Sequence, residues 1–111
     1  MVQHFEFSLE EMRHKLHTTA DMRYCKITLF AEAAGFSPAT LNHYLHGKGT
    51  SWTIELNAER QKRMDTYLAL VPPTEWSASI ISGLLGFSDV TSFYFWFKRS
   101  QKRNWSTAKA G

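Results

Sequence analysis

Cysteine is nearly absent. The lone Cys25 allows no internal disulfide, so the fold must be held by packing, and a reducing compartment suits it. A small core residue is the reading favoured over a redox role for that thiol. No apolar run approaches the roughly 20 residues that cross a bilayer. The start, MVQHFEFSLEEMRHKLH, mixes acids, bases and apolar residues instead of the continuous apolar stretch of a secretory signal, so a cytoplasmic protein with no membrane partner is expected. There is no glycine-rich phosphate loop and no nucleophile paired with a base. Glu10 and Glu11 are helix-start acids, so neither an enzyme nor a cofactor is expected. His14-x-x-His17 and His43-x-x-His46 have the spacing to share a helix face, yet without a Cys pair or a third ligand no metal site is expected. Excess charge is also small: a formal +3 does not by itself argue for nucleic acid.

What is present is helical punctuation within 111 residues, a length for one compact domain or two very small subdomains. Ser8 caps, Glu11 answers it three residues on, and Phe7 is placed to staple onto Met12, so a helix begins there with Leu9, Met12 and Leu16 inward. Ile27, Phe30, Ala31 and Ala34 mark a second helix that stops at Gly35. Ser37 and Pro38 start a third, with Leu41 and Leu45 inward, ending at Gly47-Lys48-Gly49. A longer helix spans about 51–70 on a seam of Trp52, Leu56, Met64 and Leu68, and Pro72-Pro73 stops it. Ser77 caps a helix running to Leu85, Gly86 ends it, and Phe87-Ser88-Asp89 starts another with Phe93 and Phe97 inward.

Ala34-Gly35-Phe36-Ser37 and Leu85-Gly86-Phe87-Ser88 therefore sit at the same place in two helix-Gly-Phe-Ser-helix units. The expected fold is all-α, with helix-turn-helix units at 27–46 and 77–99 joined by the linking helix. Charge is also sorted along the chain: beyond Glu75, Lys98, Arg99, Lys102, Arg103 and Lys109 face a single acid, Asp89. Such a basic end suits phosphate or a solvated helix terminus equally.

At this point the sequence resembles the DNA-binding domain of the AraC/XylS family of bacterial transcription regulators, over roughly residues 8 to 103. GFSDVTSFYFWFKR looks like that family's Gly-Phe-Ser signature with its later Phe-x-x-x-Phe-Lys-Arg, and FAEAAGFSPATLNHYL looks like its first unit, as it also does single helix-turn-helix repressors. Arg60 and Tyr67-Leu68 lie where the family places comparable linking-helix residues, and the second turn carries one extra residue. The resemblance implies one DNA-binding domain over 1–111, either a small stand-alone member, which the initiating Met suits, or an excised C-terminal domain. The tail SQKRNWSTAKAG lacks the family's Gly and its Pro-containing last turn, so the resemblance gives no support for a final helix there.

The implied function is sequence-specific binding of double-stranded DNA by a nucleoid-associated activator that recruits RNA polymerase. Its two recognition helices would enter successive major-groove segments about one turn, ~34 Å, apart. Helical angles put Ala39, Asn42, His43 and His46 opposite Leu41 and Leu45, and the resemblance implies that Ala39, Asn42 and His43 are base readers, with His46 on the same arc. Asn42 suits adenine and Ala39 a thymine methyl. In the second unit Phe95 and Thr91 point outward near Ser92, and Val90, Thr91 and Ser92 match base-proximal positions of the family; at Phe95 the family more often has arginine. Tyr94 and Trp96 flank the inward pair at the core boundary. Candidate phosphate contacts are Ser37, Thr40, Lys48, Arg60, Lys98, Arg99, Lys102 and Arg103. The rival expectation is a protein-interaction module that keeps the fold and uses the aromatic second unit to hold a protein partner, with DNA read by the first unit only.

Overall fold

Short polar caps start the helices of this chain, and the computed structural model describes residues 8–109. Those residues form seven α-helices and two 3-10 turns with no strand, so the fold is all-α. α1 is Leu9–Thr18, and its cap Ser8 accepts the Glu11 N–H at 3.1 Å. The staple expected between Phe7 and Met12 falls on Phe7, outside the described residues. α2 (Ile27–Ala34) and α3 (Pro38–Gly47) pack on each other, as do α5 (Ala78–Leu84) and α6 (Val90–Gln101), with α4 (Trp52–Leu70) in sequence between the pairs.

The two turns repeat in backbone as well as in sequence. Gly35 and Gly86 both take the left-handed conformation, at φ 77° and 82°. In each, the glycine N–H reaches back three residues, to Glu32 and Gly83, and the next N–H reaches back five, from Phe36 to Ala31 and from Phe87 to Ser82. That pair of bonds satisfies the last carbonyls of the preceding helix. The turns diverge at the next cap. Ser37 caps α3, but Ser88 does not cap α6; Asp89, one residue later, accepts the Ser92 N–H at 2.7 Å.

The chain divides into two compact units: the residues up to Ala20 with Tyr24–Glu59, and Asp21–Arg23 with the residues from Arg60 onward. The first buries Met12, Leu16, Phe30, Leu41, Leu45 and Cys25, and the Phe30 ring meets Trp52 edge-on at 5.0 Å. Two carboxylates are buried with them, Glu55 at 5% exposure and Glu59 at 3%. Arg13 forks onto Glu55 at 2.6 and 3.0 Å, Thr50 donates to it at 2.6 Å, and His17 Nδ1 lies 3.3 Å from Glu59. Hydrogen bonds of this kind make a buried charge tolerable. The seam expected on α4 is thus only half apolar: Trp52 and Met64 are buried, Leu56 and Leu68 are half-buried, and the glutamates take two of the inward places.

The core of the second unit is Met64, Ile81, Leu85, Phe93, Trp96, Phe97, Trp105 and Ala108. The tail is where the structure adds an element. α7 (Trp105–Lys109) follows α6, and Trp105 packs edge-on to Phe93 and Phe97 at 5.2 and 5.1 Å. No glycine was needed, because Lys102 itself takes the left-handed cap conformation at φ 61°. The Lys109 ammonium donates to the carbonyls of Thr74 and Trp76, which ties α7 to the 3-10 turn Pro73–Glu75.

Candidate nucleic-acid interface

In the first unit, α3 is divided sharply between core and solvent. Leu41 and Leu45 are wholly buried, while Ala39, Asn42, His43 and His46 are all exposed. Residues of this sort suit an edge-reading surface: an amide with two donors and an acceptor, two imidazoles and a methyl. Ser37 accepts the Thr40 N–H at 3.1 Å and donates to the Thr40 hydroxyl at 2.9 Å, which leaves the Thr40 O–H to donate outward. Lys48 is exposed just beyond α3, its ammonium 5.6 Å from the centre of the Tyr44 ring. The two histidines of α3 gain no further ligand; among the described residues no group of three or more His, Cys, Asp or Glu could hold a metal.

The second unit presents a stripe of a different chemistry on α6. At ~100° per residue, Thr91, Ser92, Lys98 and Arg99 all fall within about 60° of Phe95. All five are exposed, Phe95 by 64%, and no acid lies between Val90 and Arg103. Lys102 and Arg103 follow, also exposed. Asp89 stands at the N-terminus of this helix, and the Ser92 N–H bond holds its carboxyl below the usual carboxylate range. The helix is therefore anionic where it begins and cationic where it ends. The cations make its last turn the more favourable place for a phosphate.

Two of the expected contact residues also pack within the second unit. Val90 is half-buried and packs on the core with Phe87. Arg60 Nε donates to the Leu85 carbonyl at 2.9 Å, and its guanidinium stands over the Phe87 ring at 3.9 Å. That side chain braces the second turn. Trp96 is in the core rather than at its boundary, whereas Tyr94 is 43% exposed. Tyr94 walls a cleft of about 410 Å³ with Asn104, Trp105 and Ser106.

Sequence reasoning overlooked the Arg13-Glu55 and His17-Glu59 ladder, although both its sides step by four residues and so match in pitch. It also overlooked Asp89 as the cap, which the extra residue of the second turn would have given. No helix among the described residues is long and apolar enough to cross a membrane. No family model, curated protein or solved structure matches the chain.

Proposed function

We propose that this chain is a sequence-specific double-stranded DNA-binding regulator of transcription, with two helix-turn-helix units of the AraC/XylS type. The observation that carries the reading is that each unit exposes an acid-free stripe on a short, capped helix. In the first it is Ala39, Asn42, His43 and His46; in the second it is Thr91, Ser92, Phe95, Lys98 and Arg99. A helix of this size fits the major groove, where hydrogen-bonding side chains read base edges and cations hold phosphates. α3 supplies the principal base reader, with Ser37, Thr40 and Lys48 on phosphate. α6 supplies a second reader whose phosphate contacts are Lys98, Arg99, Lys102 and Arg103. Activation through RNA polymerase, and a cytoplasmic site of action, rest on the family resemblance.

One observation favours the rival reading. Phe95 is a large exposed ring and Tyr94 borders a cleft, a combination suited to anchoring a protein partner. Selection from a randomised DNA pool, with the bound sites sequenced, tests the regulator directly. Enrichment of a defined box is expected, and Asn42→Ala is expected to relax its sequence at one position. A pool that emerges unenriched removes the regulator and leaves the interaction module.

A further inference from the structure

The exposed stripe of α6 is poor in the groups that usually tell one base pair from another. It has no Asn, Gln, Asp or Glu, and its Lys and Arg begin only at Lys98, about one turn beyond Phe95. Before Lys98 the stripe holds only the hydroxyls of Thr91 and Ser92 and one benzyl ring. The major groove offers only one apolar feature that differs between base pairs, the C5-methyl of thymine. A ring left 64% exposed gains by covering such a methyl, as any apolar surface removed from water does. The cations on the same stripe decide what brings the methyl there. A nonpolar protein surface would use Phe95 but not Lys98, Arg99, Lys102 and Arg103, whereas DNA uses both.

Resting on the DNA-binding reading above, we infer that the second unit recognises its base pairs through the C5-methyl group of a pyrimidine, covered by Phe95. Thymine is then one acceptable base and 5-methylcytosine another, because both carry the same methyl at the same place in the groove. Cytosine and uracil, which lack that methyl, are disfavoured alike. Methylation of cytosine at C5 would thus strengthen a site about fourfold, by the burial of that one methyl group.

The test starts from a site selected by the full chain. Each thymine is replaced in turn by uracil, and separately its pair by a C·G pair with or without the cytosine methyl. Affinities are measured for the native chain and for Phe95→Ala, a change at an exposed position, with a thermal melt of the variant alongside. One or two positions are expected at which uracil weakens native binding about fourfold, the worth of one buried methyl group. At those positions 5-methylcytosine should bind about fourfold tighter than cytosine, and in Phe95→Ala both differences should vanish. The inference is overturned if no thymine responds to uracil, or if the response survives in Phe95→Ala, which would assign it to another side chain such as Ala39. It is overturned too if Phe95→Ala leaves DNA affinity intact and changes the sedimentation of the chain. Failure to select any site removes the DNA-binding reading itself, a different result from selection of a methyl-insensitive site.

Discussion

Gly86 is held in place twice over. Its φ of 82° disfavours any side chain, and a Cβ there would stand 2.8 Å from the Met22 carbonyl oxygen. Gly35 has the same backbone with open space around it. An alanine at Gly35 should therefore cost about 1–2 kcal/mol, the left-handed penalty alone. Gly86→Ala should cost about 2–4 kcal/mol, because overpacking against rigid backbone is added. Thermal or urea melts of the two variants compare them directly, and equal costs would show that the backbone near Met22 yields. At this scale much was legible: Gly35, Ser37, Pro38 and Ser77 announce their roles by type and position. Asp89 was less so. Ser88 is an equally good cap by type, and only the backbone of the longer turn decides between them.

Helix boundaries follow from such punctuation, but the buried face of a helix does not always follow from its apolar residues. α4 begins and ends within a residue of where its caps and prolines put it. Its inward face, however, includes Glu55 and Glu59, which a count of apolar spacing assigns to solvent. Buried carboxylates are legible only once their partners are known, and Arg13 and His17 lie on a different helix. Arg13→Ala should lower stability by about 2 kcal/mol, the worth of hydrogen bonds to a charged group. Arg13→Lys should recover only part of that, since an ammonium cannot make the two parallel bonds of the fork. Full recovery by lysine would mean that charge alone matters at this position. α7 was hidden for a related reason. Its anchor is one tryptophan in an otherwise polar tail, and Lys102 adopts a conformation that sequence reasoning reserves for glycine.

Across the whole chain the net charge is only +3, yet the cations that matter are not spread evenly. With Arg60 bracing a turn, the phosphate contacts proposed are Lys48, Lys98, Arg99, Lys102 and Arg103. Five such contacts correspond to a log-log dependence of affinity on salt of about −4.5, against about −5.4 had Arg60 been among them. Replacing Lys98 or Arg99 by alanine should flatten that slope by about 0.9 each, whereas Arg60→Ala should leave it unchanged and reduce stability instead. Titrations of binding between low and moderate salt give the slopes. A slope that responds to Arg60 and not to Arg99 would reverse the assignment.

Cys25, buried in the first unit, is also the chain's only thiol. A thiol-reactive dye can label it only when that unit opens, so the labelling rate is a clock for local opening. Three of the four tryptophans, Trp76, Trp96 and Trp105, belong to the second unit, whose loosening their fluorescence follows. The chain thus carries two native reporters, a chemical one in the first unit and an optical one weighted toward the second, with Trp52 alone emitting from the first. Under the proposed DNA-binding role, comparing them tests, without any added label site, whether DNA quiets both units or only one.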